Sequence, residues 1–178
     1  MDIEDAGCES GDSGGELTSR APTEDDLVLL CRRLNELGAE YMVIGGFAMI
    51  RAGYPRTTAD IDLLLDTSPE NEARIHEAME VFPDKAIRQL EPGEIARYSV
   101  VRVADEVTVD LMQAACGITY LEATAEMIMR EVQGVPIPFA SPRLLWKMKK
   151  PLGRAKDGGD LAFLNEYFKS IGESPPVC

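Results

Sequence analysis

Apolar residues recur along this chain with two different periods, and the alternation of the two outlines its elements. Between Thr23 and Gly38, the residues Leu27, Leu30, Cys31 and Leu34 follow the three- and four-residue spacing of one helix face. Thr23 can cap that helix with Asp26 three residues on, and Gly38 ends it. Next, Tyr41-Met42-Val43-Ile44 is an unbroken apolar run that stops at Gly45-Gly46 and is followed by residues 47–51 before Gly53. This predicts a strand, a glycine turn and a short helix. Residues 59–66 read ADIDLLLD, a strand that carries carboxylates at alternate positions before it turns wholly apolar. Pro69 opens a helix to about residue 81, with Ile75, Met79 and Phe82 facing inward.

Strands are predicted at 97–103 and 106–112, joined as a hairpin about Ala104-Asp105. A helical stretch near 120–125 precedes a second strand pair, 127–132 and 135–139, about Gln133-Gly134. Ser141-Pro142 starts a helix to about residue 150, and a last helix from Asp157 carries Leu161, Leu164 and Phe168. Residues 1–21, rich in Gly, Ser, Asp and Glu, have no apolar periodicity and are expected to form a disordered acidic tail. The reading is an α/β (α+β) fold with one mixed sheet and flanking helices over residues 22–170, followed by a frayed end, 171–178.

Composition narrows the function classes. A chain of 178 residues with 45% hydrophobic content suits one domain, and no apolar run approaches the ~20 residues of a spanning helix, so no membrane partner is expected. The formal charge is −13, of which residues 1–26 supply −8. Between Arg143 and Lys156 the sign reverses, with six bases and no acid, so an anionic partner can find a local positive face. Cys8, Cys31, Cys116 and Cys178 form no paired motif, and the start lacks the basic and apolar regions of a secretory signal, which points to reduced thiols and a cytoplasmic location. Cys116 is expected to be buried.

The chemistry gathers on three carboxylates. Asp60 and Asp62, two apart on a strand, point the same way, and their repulsion falls if a hard divalent cation such as Mg²⁺ sits between them. Asp110, in the alternation Val107-Thr108-Val109-Asp110-Leu111-Met112, joins them if the two strands are neighbours. Alone, an Asp-x-Asp on a strand is a solvated face. Here it runs straight into Leu63-Leu64-Leu65, and Gly45-Gly46 upstream forms a strand-to-helix turn of the kind that holds phosphate. His76 is the single histidine, so no Ser-His-Asp arrangement or histidine metal site is within reach. Trp146 reads as core, and Asp157 and Asp160 read as a helix cap and a first-turn charge.

The string IGGFAMIRAGYPRTTADIDLLLD resembles the active-site signature of the nucleotidyltransferase superfamily, the polymerase-beta-like fold. That pattern is a hydrophobic residue, Gly, Gly or Ser, a spacer, then Asp-hydrophobic-Asp-hydrophobic, matched by Ile44-Gly45-Gly46 and Asp60-Ile61-Asp62-Leu63. The resemblance implies that Asp60 and Asp62 hold two divalent ions, Mg²⁺ with Mn²⁺ as the alternative, that Asp110 joins them from a later strand, and that a nucleoside monophosphate moves from an NTP to an acceptor while pyrophosphate leaves. Arg56-Thr57-Thr58 and the segment 145–164 most resemble the bacterial stand-alone branch that includes abortive-infection toxins. There K-x4-R-x-KD-x2-DL recurs, matched by Lys149, Arg154, Lys156-Asp157 and Asp160-Leu161, and the toxin-type likeness implies an antitoxin partner. Pro151 inside this motif departs from the pattern and should break the helix before Arg154.

A triphosphate carries about four negative charges, for which Arg56, Lys149, Arg154 and Lys156 are the candidate counter-charges and Gly45-Gly46 the cradle. The acceptor stays open among a protein side chain, a tRNA 3′ end and a small hydroxylated molecule. The other readings are a non-catalytic nucleotide- or partner-binding member of the same fold, and a phosphohydrolase, for which no water-activating group is evident.

Overall fold

The computed structural model describes residues 18–177. Helix α1, Glu24–Glu36, starts with the expected reciprocal cap: the Thr23 hydroxyl accepts from the Asp26 N–H, and the Asp26 carboxylate accepts from the Thr23 N–H. Its buried face carries Leu27, Leu30, Cys31 and Leu34. Burial pushes the Cys31 thiol up to about 12, so it behaves as an inert apolar group. The elements continue as β1 (Tyr41–Ile44), α2 (Gly45–Arg51), β2 (Asp60–Leu65), α3 (Pro69–Met79), α4 (Glu94–Arg97), β3 (Val101–Ala104), β4 (Thr108–Met112), β5 (Ala114–Ala115), β6 (Ile118–Thr119), α5 (Tyr120–Ala123), β7 (Met127–Val132), β8 (Val135–Ala140), α6 (Pro142–Lys149) and α7 (Gly158–Ser170).

Six strands form one mixed sheet in the order β3-β4-β2-β1-β8-β7. Strand β1 runs antiparallel to β2 and parallel to β8, and β2 runs parallel to β4. Strands β1 and β2, at the centre, are apolar on both faces once past the carboxylates, because helices cover them. Helix α1 packs on α3 and β8, while α2 packs on α6 and on β1, β2 and β8, and α6 in turn packs on α7. Trp146 is a core residue, as expected, with Phe168 edge-on to its ring. Among the described residues, no helix is long and apolar enough to cross a membrane.

The structure departs from the local pattern where distant side chains intervene. The strand expected from residue 97 starts only at Val101; Arg97 instead ends a helical turn, residues 94–97, at whose start the buried Glu72 carboxylate of α3 accepts the N–H groups of Gly93 and Ile95. The first hairpin also turns over three residues, with Ala104 opposite Thr108. Asp105 inside that turn is buried, and its carboxylate accepts from the N–H groups of Asp84, Ala86 and Glu106. Cys116 is exposed, contrary to expectation. With φ of +52° at Cys116 and +78° at Gly117, the pair forms the tip of a two-residue turn between β5 and β6 and points away from the core.

Of the stretch assigned to an acidic tail, residues 1–17 lie outside the described residues, and its end is docked on the body. Ser19 donates to the Asp105 carbonyl at 2.7 Å, the Arg20 N–H donates to the Glu106 carbonyl at 2.9 Å, and the Arg20 guanidinium grips both oxygens of Asp26. At the other end, where fraying is expected, Trp146 donates its indole N–H to the Pro176 carbonyl at 3.0 Å and Arg143 pairs with Glu173.

The hydrogen bonds from Arg20 are the main reason that the Asp26 carboxyl is held down at about 2, well below the usual carboxylate range. A carboxylate depressed on folding stabilises above its unfolded value and loses that contribution as the pH falls through the folded one. Asp26→Asn, which keeps a capping side chain but no charge, should therefore melt below the wild type at pH 7. That gap should narrow as thermal scans are taken from pH 4 toward pH 2.

Candidate active site

The carboxylates converge because three strands are in register. Parallel pairing of β2 with β4 sets Asp62 opposite Asp110 and Asp60 opposite Thr108, while β1 sets Ile44 opposite Asp62. Asp60 and Asp62, two apart, lean to one face, and each of the three residues offers an oxygen within 4.8 Å of the others. Asp110 is buried, and Asp60 and Asp62 are half-buried.

Since β1 ends beside Asp62, the turn that follows lies directly on that side chain. Gly45 adopts φ +63°, and a Cβ there would stand 1.9 Å from Asp62 Oδ2; a Cβ on Gly46 would stand 2.3 Å from Thr58 Oγ1. The Gly46 N–H is hydrogen-bonded to Asp62, and Thr58 donates to the Asp60 carbonyl at 3.0 Å. The two glycines thus exist first to let Asp62 and Thr58 approach the backbone, and one of the amides expected to cradle phosphate is engaged by a carboxylate. Gly45→Ala should impose both a left-handed alanine and a clash with Asp62, lowering the melting temperature by an amount equivalent to roughly 1–3 kcal/mol, as differential scanning calorimetry would register.

Three carboxylates at this distance disturb one another. Burial, and after it the charges of Asp60 and Asp110, push the Asp62 carboxyl up to about 7; the Gly46 N–H and Lys149 oppose the rise without cancelling it.

Arg102 is part of this cluster and was not foreseen. It lies opposite Asp110 on β3, donating through Nε to Asp110 Oδ1 at 2.8 Å and through Nη2 to Asp110 Oδ2 at 2.7 Å and Asp60 Oδ2 at 3.1 Å. The Asp110 bonds are the main reason its guanidinium is held above its ordinary value. A two-residue turn at Ala104-Asp105 would have set Arg102 opposite Val107, so the sequence signal was the alternation Val101-Arg102-Val103, and the longer loop hid its partner.

The second motif forms a wall of the same cleft. Lys149 Nζ lies 3.0 Å from Asp157 Oδ1 and 2.8 Å from Asp160 Oδ2, Arg56 Nη1 reaches both oxygens of Asp160 at 2.7 and 2.6 Å, and Arg154 Nε donates to Asp157 Oδ2 at 2.6 Å. Asp157 and Asp160 hold the N-cap and first-turn positions of α7 as expected, but Asp157 makes no side-chain capping bond, and both carboxylates are buried partners of the basic group. Burial works against the Asp157 charge, but hydrogen bonds from Arg154 and Lys149 outweigh it and hold that carboxyl below the usual range. Pro151 breaks the helix as expected: α6 stops at Lys149, a 3₁₀ turn spans Lys150–Leu152, and Gly153 at φ +56° leads back to Arg154. Lys156 is exposed. One cleft of about 670 Å³ is lined by Gly45, Gly46 and the carboxylates together with Arg56, Lys149, Arg154 and Lys156.

The donor set suits a hard divalent cation. All three ligands are carboxylate oxygens, their charges are under-compensated, and the cluster already draws a cation in the form of the Arg102 guanidinium.

Among solved structures, the chain is similar to one described as a "putative nucleotidyltransferase" from Thermotoga maritima, with 20% sequence identity, a TM-score of 0.51, and coverage of 79% of this chain and 91% of that one. No family model matches the chain, and no curated protein does. The likeness is one of fold: the mixed six-stranded sheet with flanking helices is a nucleotidyltransferase fold.

Proposed function

We propose that this cleft transfers a nucleoside monophosphate from an NTP to a hydroxyl acceptor and releases pyrophosphate. The observation that carries the reading is the convergence of Asp60, Asp62 and Asp110 beside the glycine turn, in a cleft also lined by Arg56, Lys149, Arg154 and Lys156. Divalent ions held by those carboxylates, Mg²⁺ or Mn²⁺ and two in number, would supply charge neutralisation for the triphosphate and for the attacking oxygen. The acceptor oxygen attacks the α-phosphorus, the bond to the pyrophosphate oxygen breaks, and Asp110 takes the hydroxyl proton. Gly45 and Gly46 keep this end of the cleft free of side chains. Arg154 and Lys156, the more exposed bases, meet the triphosphate, while Arg56 and Lys149 are anchored by Asp160 and Asp157 and set the shape of the wall.

The toxin-type resemblance adds a cytoplasmic setting and an antitoxin partner to this proposal. Incubation of wild type and Asp62→Asn with each α-³²P-labelled NTP, Mg²⁺ and a cell lysate tests it. Label should pass to a protein, an RNA or a small molecule with the wild type alone, and the labelled fraction identifies the acceptor class. No metal-dependent label or pyrophosphate with any NTP would overturn the assignment.

A further inference from the structure

Arg102 occupies a place in the carboxylate cluster that a structural cross-strand pair does not require. A single carboxylate opposite would satisfy an arginine on an edge strand, yet its Nη2 is shared between Asp110 and Asp60, bridging residues of two strands. The guanidinium takes both oxygens of Asp110 and one of Asp60, so it sits on two of the three ligands that a divalent cation would use. It is also free to leave. Strand β3 is the edge of the sheet, and the Arg102 side chain is 60% exposed, while the Asp110 carboxylate that it holds is 9% exposed. One guanidinium stands against three carboxylates, and Asp62 receives none of the hydrogen bonds from it. A dication outbids a monovalent guanidinium at such a site, but two cations on the same oxygens repel each other.

We propose that Arg102 is the resident counter-ion of the metal-free cluster, displaced from Asp60 and Asp110 when a divalent cation binds, and that the released guanidinium turns to a phosphate oxygen of the nucleotide in the cleft. Metal binding and nucleotide binding are then coupled through one side chain: the cation frees the arginine, and the phosphate gives it a new partner. Arg102 is one of the residues lining the cleft, so the exchange needs only a side-chain rotation at its rim. This rests on the nucleotidyltransferase reading only in its second half; the exchange at the carboxylates stands on their geometry.

Mn²⁺ affinity, read from the electron paramagnetic resonance signal of free Mn²⁺ in the absence of nucleotide, tests it on the full chain. Removing a competitor whose guanidinium is itself largely solvent-exposed should tighten binding by about fivefold in Arg102→Gln, and Arg102→Lys, which keeps the charge, separates loss of the bridge from mere loss of a nearby positive charge. With Mn²⁺ saturating, Arg102→Gln should bind ATP more weakly than the wild type. If Arg102→Gln fails to fold, Arg102→Lys, which keeps the charge but cannot bridge both carboxylates, should also bind Mn²⁺ more tightly than the wild type. Unchanged or weaker Mn²⁺ binding in the folded variants overturns the exchange, and if nucleotidyl transfer persists in the wild type, the transferase reading survives that result. Tighter Mn²⁺ binding with no transfer to any acceptor would instead support the exchange and count against the reaction.

Discussion

Asp62→Asn is expected to lower nucleotidyl transfer by roughly a thousandfold or more, and at the same time to make the metal-free protein more stable at pH 8. The first effect follows from losing one of three cation ligands, since the bound ions supply several kcal/mol of transition-state stabilisation. The second follows from the site's own electrostatics. The Asp62 carboxyl, ordinarily near 3.8, is pushed up to about 7 by burial and by Asp60 and Asp110. Between those two values the folded chain holds a proton that the unfolded chain has released, so stability falls as the pH rises through that window, and the loss is complete above it. Asparagine carries no such charge. In EDTA the two melting curves should coincide near pH 4 and separate up to pH 8, with the variant higher by on the order of a few °C. Excess Mg²⁺ should reverse the order by raising the wild type alone. Wild-type activity in the variant would remove the metal assignment, and equal melting temperatures at pH 8 would show that the three carboxylates are not mutually strained.

Lys149→Met should act through the fold. The Lys149 side chain is 10% exposed, and its partners Asp157 and Asp160 are 4% and 3% exposed. Removing one member of a buried ionic group leaves uncompensated charge and costs about 3–5 kcal/mol. Arg154 still meets Asp157 and Arg56 still meets Asp160, which places the loss at the lower end of that range. A melting temperature lower by on the order of 10 °C is expected by circular dichroism. Arg154→Met offers the contrast. Its side chain is 45% exposed, so stability should change little, while the apparent KM for NTP rises and depends less on ionic strength. A Lys149→Met protein that melts like the wild type would mean that Asp157 and Asp160 do not need the buried ammonium.

Local rules are enough to read much of this chain. Helical spacing and a Thr-Asp cap place α1, period-two alternation turns Asp60 and Asp62 to one side, and Pro142 and Pro151 bracket α6, because each of these depends on residues within one or two turns of chain. The same reach explains the glycine turn, which was legible as a break between strand and helix, although the side chains of Asp62 and Thr58 packed against its glycines were not. What the sequence could not decide is which strand lies beside which and in what register. Only the parallel pairing of β2 with β4 sets Asp62 against Asp110. The loop after β3 starts one residue later and is one residue longer than a turn at Ala104-Asp105, which moves the partner of Arg102 by three residues, from Val107 to Asp110, since a shift in register re-pairs every side chain along a hairpin. Asp160 meets Arg56 from 104 residues away. A helix-start carboxylate and a buried ion pair look alike in one dimension; they are told apart by what the rest of the chain brings within 3 Å, and Coulomb energy depends on that distance and on burial, neither of which the order of residues encodes.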